Sequence, residues 1–286
     1  MIVITAASGN LGRLVLEDLL TRGVPADGIR AVVRDRAKLA DYAGRGVEVV
    51  RGDYNDQESL VAALAGADKF LLISSSGNSD ERVKQHLNAV AAAKQAGVPH
   101  LVYTSIPHAE VNPIEFSWVH KDTETAIRQS GIAFTILRNN WYFENLLGSV
   151  GAALEHGAFI GSAGAGKVGY ATRADYAAAA AAVLAGEGHE GKTYELTGDV
   201  AVANAEIAAE VSAQSGKQVE YASLPEQEYA KALEGFGLPA ELAAALAQAD
   251  VAISRGALAE TTDTLSTLIG RPTSTVAEAV AQALKA

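Results

Sequence analysis

Two glycines in the stretch ITAASGNLG, Gly9 and Gly12, follow a short apolar run and precede a segment of helical period. A strand that turns at once into a helix needs glycine where a Cβ would block the turn, a phosphate or the packing of helix on strand. The free amide groups and positive dipole end of that helix then bind anions. The stretch therefore predicts a dinucleotide pyrophosphate site. The alternative is an ordinary glycine-containing turn.

Ala6 stands in this loop where a third glycine is expected. Alanine suits a backbone with negative φ, and one methyl group narrows the approach to a phosphate without closing it. We therefore expect Ala6 to cost only modest cofactor affinity.

The next apolar run ends in RAVVRDRAK, where dinucleotide-binding proteins read the ribose. A carboxylate at that point binds the 2′-hydroxyl of NAD, whereas a guanidinium grips the 2′-phosphate of NADP in a bidentate fork. Arg34 stands at the end of the run, and Asp35 is expected to face solvent or to cap the following helix. The sequence favours NADPH, with NADH as the alternative.

Two further loops could contact such a cofactor. In GDYNDQESL, Asp53 and Tyr54 lie where an adenine ring would be flanked, although this stretch could simply start a helix with Asn55 or Asp56 as its N-cap. In LLISSSGNS, the hydroxyls of residues 74–76 could line the middle of the cofactor or belong to a solvated turn.

The segment LRNNWYFENLL is the candidate acceptor side of the site. Two amides, Asn139 and Asn140, follow a strand-like run, where an open α/β sheet keeps its ligand. They could donate to a carboxamide or a quinone oxygen, and Trp141, Tyr142 or Phe143 could stack on a flat ring. The alternative is a helix start with aromatic core anchors, and Trp141 is the residue we most expect in the core.

No Tyr-x-x-x-Lys pair, the proton donor of typical short-chain dehydrogenases, stands at the expected place, which reads FSWVHKDTE. His120 is the nearby side chain expected to titrate near neutrality, and it could orient or protonate a substrate. It could equally be a hydrogen-bonded structural histidine. Without the pair, we expect hydride transfer to an electron-poor acceptor that needs little acid catalysis.

Composition narrows the class of protein further. The 286 residues contain no cysteine and carry a formal net charge of −11 with scattered basic residues. Thiol catalysis, thiolate metal sites and a nucleic-acid surface are therefore not expected, and no metal site is predicted. No run reads as a secretory signal or a membrane span, so we expect a cytoplasmic protein with a small-molecule partner.

The elements that must position these residues alternate from the first residue between short apolar runs and segments of helical period. This order predicts an α/β, Rossmann-like, doubly wound, mostly parallel sheet. Residues 204–286 are mostly helical in pattern and predict a smaller helical cap. We expect a cofactor domain over residues 1–198 and a substrate-side domain over 199–286, with some interleaving of elements.

Taken together, ITAASGNLG, VVRDRAK, LLISSS, HKDTE, LRNNWYFENLL and ATRADYAAAAA resemble the NmrA-like branch of the atypical short-chain dehydrogenase/reductases. Within the branch, the likeness is greatest to bacterial NAD(P)H:quinone oxidoreductases of type 2 and next to triphenylmethane reductases. It runs nearly from end to end, but the family has a glycine where Ala6 stands and usually a threonine where Ser8 stands.

The resemblance implies a role for each matching segment. Gly9 to Gly12 would hold the pyrophosphate, Arg34 the 2′-phosphate and Ser74 to Ser76 the central cofactor. Asn139 to Asn145 would form the nicotinamide side, bordered by Thr172 and Arg173. The candidate cofactor residues are Ala6, Ser8, Gly9, Asn10, Leu11, Gly12, Arg34, Asp53, Tyr54, Ser74, Ser75, Ser76, Asn139, Asn140, Trp141, Tyr142, Phe143, Glu144 and Arg173, and the candidate catalytic residues are His120, Asn140 and Tyr142.

The function expected from the resemblance is NADPH-dependent hydride transfer to a quinone or a similar electron-poor aromatic acceptor, and a homodimer is a possible assembly. Two alternatives stay open. One is a redox sensor that binds the cofactor without turnover, and the other is a reductase of triphenylmethane dyes.

Overall fold

The computed structural model describes residues 1–285, which divide into two compact units. The first unit comprises residues 1–110, 118–139 and 176–195. The second comprises residues 111–117 and 140–175 together with the chain from Leu196 onward. The division into domains at residue 198 stays a prediction.

A seven-stranded sheet forms the centre of the first unit, with strand order β3-β2-β1-β4-β5-β6-β9. Every pair from β3 to β6 is parallel. The strands are β1 (Ile2–Ile4), β2 (Ile29–Val33), β3 (Glu48–Arg51), β4 (Lys69–Leu72), β5 (His100–Ser105), β6 (Ala133–Asn139) and β9 (Lys192–Leu196). This order is that of a dinucleotide-binding α/β sheet, and the predicted fold class is confirmed.

Helices follow the parallel strands in sequence, as crossover connections require. They are α1 (Asn10–Thr21), α2 (Ala40–Gly44), α3 (Gln57–Leu64), α4 (Ser79–Gln95), α5 (Ser117–Ser130) and α8 (Arg173–Ala185). Apolar side chains of β1, β4, α3 and α4 share one buried core, which includes Val3, Phe70 and Leu64. Strands buried on both faces explain why the runs at Phe70 and Leu101 are continuously apolar.

The strand order places a topological switch at β1, whose neighbours are β2 on one side and β4 on the other. Ligands of open α/β sheets bind outside the carboxyl ends of the strands at such a point. The loops that follow β1, β2 and β4 contain Ala6 to Gly12, Arg34 and Ser74 to Ser76, so the fold brings the predicted cofactor loops to one edge of the sheet.

The second unit is mainly helical, with two small sheets. Strand β7 (Ala158–Gly161) pairs in parallel with β11 (Glu220–Ser223), and β8 (Lys167–Val168) pairs antiparallel with β10 (Val202–Ala203). The helices are α6 (Glu144–Leu147), α7 (Val150–His156), α9 (Asn204–Ser215), α10 (Glu226–Gly235), α11 (Ala240–Ser254), α12 (Thr264–Ile269) and α13 (Val276–Ala283).

The sequence pattern of a capping box predicts helix starts at Thr172, Ser223 and Thr275, and two of these three are confirmed. Thr172 and Asp175 exchange hydrogen bonds ahead of α8, and Thr275 and Glu278 do so ahead of α13. The third, at Ser223, is wrong because α10 begins after Pro225, whose fixed φ sets the first turn without a side-chain cap.

Candidate active site

The turn between β1 and α1 leaves no room for a side chain at Gly12. A Cβ on Gly12 would lie 2.6 Å from the carbonyl oxygen of Ala6 and 2.7 Å from the Cα of Ala7. The amide of Gly9 donates to the same Ala6 oxygen at 2.9 Å. Gly9 is also the N-cap of α1 and offers no side-chain acceptor to its first turn. The turn therefore packs as a dinucleotide cradle does and leaves amide groups for an anion.

Ala6 adopts a left-handed conformation with φ of +51°. The expectation that it would keep a negative φ is therefore wrong. Alanine pays a steric penalty in this region because its Cβ approaches a backbone carbonyl, and glycine does not. Alanine in place of the third glycine therefore strains the backbone of the turn more than it narrows the space for a phosphate.

Arg34 follows β2 directly and is exposed. Among the described residues it has no hydrogen-bond or ion-pair partner, so its guanidinium is available to an anion. Asp35 accepts a hydrogen bond from the amide of Ala37 at 3.0 Å and caps the short 3-10 helix that follows, as predicted. The carboxylate that could have competed for a ribose hydroxyl is engaged in that cap.

The loop after β3 is held mainly by its own turn. Asp56 caps α3 through the amide of Ser59, and Asp53 accepts from the amide of Asn55 at 2.9 Å. The Tyr54 hydroxyl lies 2.6 Å from both the Thr5 hydroxyl and the Ile73 carbonyl oxygen. Burial raises the pKa of Tyr54, so the hydroxyl stays neutral and ties the ends of β1 and β4 together.

The loop Ser74–Ser76 rests on side chains of α4. The Ser75 amide donates to Nε2 of His86 at 2.9 Å, and Nε of Arg82 donates to the Ser75 carbonyl oxygen at 2.7 Å. The Ser74 amide donates to the Thr104 hydroxyl at 2.9 Å. Both backbone groups of Ser75 are therefore fixed, and its hydroxyl also lies 3.1 Å from Nε2 of His86.

His86 is neutral and has one defined tautomer. Its Nε2 accepts from Ser75, so Nδ1 carries the proton and faces the Thr123 hydroxyl at 2.9 Å. Thr123 in turn donates to the Val119 carbonyl oxygen at 2.7 Å. Burial, with Arg82 nearby, lowers the pKa of His86 to about 3.

His120 is buried between Arg82 and Tyr103. Its Nε2 lies 3.2 Å from Nη2 of Arg82, and its Nδ1 lies 2.9 Å from the Tyr103 hydroxyl. Burial, with the charge of Arg82 and the proximity of His86, holds the pKa of His120 well below its usual range. The expectation that His120 titrates near neutrality is therefore wrong.

Asn139 and Asn140 end β6 and begin the second unit, and both are buried. The Asn140 side chain donates to the Leu258 carbonyl oxygen at 3.1 Å and accepts from the Trp141 amide at 2.7 Å. Its backbone amide donates to the Leu196 carbonyl oxygen. These bonds fix the Asn140 side chain at the start of the aromatic segment, and its contact with an acceptor stays a prediction.

Of the three aromatic residues that follow, Phe143 lies in the core, whereas the sequence predicted Trp141 there. Phe143 is 2% exposed and stacks on Tyr170 at a centroid distance of 5.1 Å. Trp141 is half-buried and stacks on Phe116 at 6.2 Å. Phe143 is therefore the core anchor, while Trp141 keeps an accessible face.

Glu144 and Arg173 form one cluster with Tyr142 in the second unit. The Glu144 carboxylate accepts from the Arg173 backbone amide at 2.9 and 3.2 Å, at the start of α8. The Arg173 guanidinium lies over the Tyr142 ring at 5.2 Å and donates to the Asn145 side chain at 3.3 Å. A cation held over an aromatic ring is suited to an anionic or π-rich ligand.

An apolar cavity of about 640 Å³ lies within the second unit and is lined by Trp141 and Asn145 of the same segment. Four more aromatic side chains complete much of its wall, and they are Phe159, Tyr170, Tyr229 and Phe236. Asp250 is the sole carboxylate among its lining residues, which include no lysine or arginine. The cavity has the size and the chemistry of a site for a planar aromatic molecule.

Sequence reasoning missed Arg82, His86, Asp250 and a buried cluster around Arg138. Arg138 donates to Glu124, Glu110 and Glu195, and the Glu124 carboxylate also accepts from Ser105. Burial lowers the pKa of Arg138, but the hydrogen bonds to the carboxylates raise it by more. The pKa therefore lies above its ordinary value, and Arg138 stays a cation. The spacing of Arg82 and His86, four residues apart on one helix, was a usable signal because such residues share a face.

Two searches of the described residues were negative. No group of three or more histidine, aspartate or glutamate side chains among residues 1–285 is arranged to hold a metal ion. No helix in that part of the chain is long and apolar enough to cross a membrane.

The fold and the loops at its switch point define a dinucleotide-binding α/β protein of the short-chain dehydrogenase/reductase type. The model of the NmrA-like family matches residues 1–268, and the chain belongs to this family.

Three comparisons place the chain among known relatives. It is 51% identical to Quinone oxidoreductase 2 of Escherichia coli K12 over 98% of this chain and 97% of that protein. The crystal structure of an NADPH-dependent quinone oxidoreductase from E. coli, complexed with NADPH, superposes with a TM-score of 0.95 at 51% identity over 99% of this chain and 100% of the other. The crystal structure of triphenylmethane reductase of Citrobacter sp., complexed with NADP(H), superposes with a TM-score of 0.93. The two chains are 41% identical over 99% of this chain and 100% of the other.

Proposed function

We propose that the chain is an NADPH-dependent oxidoreductase that transfers a hydride directly to a quinone or a similar electron-poor aromatic acceptor. The observation that carries the proposal is the β1–α1 turn, where a Cβ on Gly12 would lie 2.6 Å from the Ala6 oxygen. Its relatives in E. coli and Citrobacter, named for quinone and triphenylmethane reduction, support the choice of acceptor class.

The residues at the sheet edge fit NADPH. Gly9 to Gly12 and the first amides of α1 would hold the pyrophosphate, and Arg34 would bind the 2′-phosphate because its guanidinium has no partner among the described residues. Ser74 to Ser76 would line the central part of the cofactor, on the support of Arg82 and His86. Tyr54 would contribute only its ring, because its hydroxyl is bonded inward.

In the second unit, we propose that the cavity lined by Trp141 takes the acceptor ring. Tyr142, with Arg173 above it, would orient the nicotinamide side, and Asn140 would keep the segment in place. Bound NADPH supplies the hydride from C4 of its nicotinamide. Reaction then depends mainly on the proximity of donor and acceptor.

The protein contributes no strong acid near Tyr103 and His120. Burial, with the charge of Arg82 beside it, holds the pKa of His120 low, and burial raises the pKa of Tyr103. A quinone suits such a site because the reduced product is a stabilised oxyanion that water can protonate. A ketone does not, because its alkoxide product requires a proton donor.

Parallel assays separate this function from its two alternatives. NADPH oxidation is followed with benzoquinone, menadione and malachite green, and the affinities for NADPH and NADP⁺ are measured by calorimetry. We expect turnover that is fastest with a quinone. Fastest turnover with malachite green would indicate a dye reductase, and unequal affinities without any turnover would indicate a redox sensor.

The homodimer and the cytoplasmic location stay predictions. Sedimentation of the purified chain and fractionation of cells that express it are the direct tests.

A further inference from the structure

The cavity of the second unit combines aromatic faces with a single carboxylate. Asp250 lies on α11 and lines a space of about 640 Å³ whose other polar groups are few. Aromatic faces carry partial negative charge and attract cations. A carboxylate among such faces adds a full negative charge, which acts more strongly in a poorly hydrated site than in water. Asp250 thus contributes the one carboxylate among the lining residues described for this cavity.

One Asp250 oxygen is used by the protein and the other is not. Oδ2 accepts from the Ser162 amide at 2.7 Å. Among the described residues the structure gives Oδ1 no hydrogen-bond partner. Burial raises the pKa of Asp250 to about 6, although the nearby backbone amides of Ser162 and Ala163 act in the opposite direction. The carboxylate therefore holds a hydrogen-bonding site that a ligand in the cavity could use.

A purely structural role accounts poorly for a carboxylate at this place. The loop at residues 162–164 has other supports, because the Ala163 amide donates to the Tyr221 hydroxyl at 2.9 Å and the Gly164 amide to the Ser223 hydroxyl at 3.1 Å. An asparagine could accept the Ser162 hydrogen bond without the cost of burying a charge. The retained charge points to a ligand.

We propose that Asp250 makes this cavity selective by charge, so that it favours planar aromatic acceptors bearing a positive charge or a hydrogen-bond donor and disfavours anionic ones. The inference rests on the proposed function only in taking the cavity as the acceptor site. It names the determinant of specificity within that site.

The test uses three 1,4-naphthoquinones that differ in the charge of one substituent. They are neutral menadione, the anionic 2-sulfonate and a cationic trimethylammonium-methyl derivative. For each, kcat/KM is measured with saturating NADPH at pH 8 for the wild type, Asp250→Asn and Asp250→Glu. Glu241→Gln is the matched control, because it removes an equal charge from an exposed position of the same helix.

We expect the ratio of kcat/KM for the cationic to the anionic quinone to fall at least tenfold in Asp250→Asn. Asp250→Glu should keep most of the wild-type ratio, because it keeps the carboxylate, and Glu241→Gln should have the wild-type ratio. A ratio in Asp250→Asn within twofold of wild type, or an equal change in Glu241→Gln, would overturn the proposal. If Asp250→Asn acted only by losing the hydrogen bond at Ser162, kcat/KM would change by the same factor for all three quinones, and the ratio would stay unchanged.

The pH dependence of the wild type tests the same idea without a substitution. The ratio should fall as pH drops through about 6, where Asp250 takes up a proton. Tyr170, Tyr221 and Tyr229 face Asp250, and burial raises the pKa of each, so they stay neutral throughout. The His156 imidazole also lines the cavity, and His156→Gln is the control for its contribution to the ratio.

Binding without turnover distinguishes failure of this inference from failure of the proposed function. Quenching of Trp141 fluorescence reports occupation of the cavity by the cationic and anionic quinones in the absence of NADPH, with Trp141→Phe as the control for signal from Trp118. A charge preference that disappears in Asp250→Asn supports the inference even if no quinone is reduced. Equal binding of both quinones by the wild type overturns it even if quinones are reduced.

Discussion

Arg82 donates a hydrogen bond from Nη2 to Nε2 of His120 over 3.2 Å. A guanidinium has no acceptor, so the imidazole must present its lone pair, and its proton must lie on Nδ1 towards Tyr103. The pair therefore keeps His120 neutral and fixes its orientation. We therefore propose that His120 supports Arg82, and through it the Ser75 loop, and that it is not the acid of the reaction.

The first prediction concerns proton transfer. His120→Ala and Tyr103→Phe should each lower turnover with a quinone by less than the roughly 10²-fold that marks loss of a general acid. Tyr142→Ala should cost at least as much, through lost orientation. Steady-state NADPH oxidation measures all three. If His120→Ala alone abolished turnover while NADPH binding and the thermal midpoint stayed at wild-type values, the reaction would need a protein acid and a carbonyl acceptor would be favoured.

Acid should destabilise the fold through His86. In the unfolded chain a histidine takes up a proton near pH 6.5, whereas His86 in the fold does so only near pH 3. The unfolded state then binds more protons, so the free energy of unfolding falls as pH drops between these values. From pH 7 to pH 5 the loss is about 2 kcal/mol for one such group.

In His86→Gln the free energy of unfolding should fall by about 2 kcal/mol less between pH 7 and pH 5 than in the wild type. The substitution should also lower the stability at pH 7, because it removes the hydrogen bonds of the imidazole. Urea unfolding at the two pH values measures the difference, and His156→Gln, at an exposed position, is the matched control. An identical loss in the wild type and in His86→Gln would show that His86 is not held neutral by the fold.

Arg34 should decide between the two cofactors. Arg34→Gln should weaken NADPH binding by about 2 kcal/mol, the value of a charge-assisted hydrogen-bonded pair, and leave NADH binding almost unchanged. Arg36→Gln removes the same charge from the adjacent 3-10 helix and should affect neither strongly. Calorimetric titration of each variant with both cofactors gives the answer, and equal losses for NADPH and NADH in Arg34→Gln would contradict the assignment.

Ala6→Gly should relieve the left-handed backbone at φ of +51°. We expect the free energy of unfolding to rise by about 1 kcal/mol or less, because part of the gain is lost to the greater freedom of glycine in the unfolded chain. Ala6→Val should be clearly destabilising, since a β-branched residue is a steric outlier at positive φ. Thermal or urea unfolding tests the pair, and a destabilised Ala6→Gly would mean that the methyl group makes a useful contact.

Much of the first unit was predictable because its central parallel strands are buried on both faces and the glycines of its β1–α1 turn have a local steric reason. The sequence predicts strands from Ile29 to Arg34 and from Lys69 to Ser74, and the observed β2 and β4 end within two residues of those bounds. The conformation of Ala6 was not predictable in the same way. It depends on the Gly12 packing that closes the turn, which no local propensity encodes.

The side-chain orientations on the proposed acceptor side of the site were harder to predict from the sequence, because tertiary contacts fix them. The side chain of Asn140 is bonded to Leu258, which is distant in sequence, and Phe143 is buried against Tyr170. Asp250 lies in an alanine-rich helix that looks like plain core or cover, and only the folded cavity shows its surroundings. The segment was found from its composition, but the orientation of each side chain in it was not.

The most direct test of the central claim is a single turnover. The purified chain, shown by absorbance to be free of flavin, is loaded with NADPH and mixed anaerobically with one equivalent of menadione in a stopped-flow instrument. Gly12→Ala, whose Cβ would lie 2.6 Å from the Ala6 oxygen, is compared with Gly28→Ala, where a Cβ would have no neighbour within 4 Å. We predict that one NADPH is oxidised for each quinone reduced, in the wild type and in Gly28→Ala but not in Gly12→Ala. Bound NADPH that persists beside unreacted menadione in the wild type, or oxidation that requires added flavin, would contradict the account.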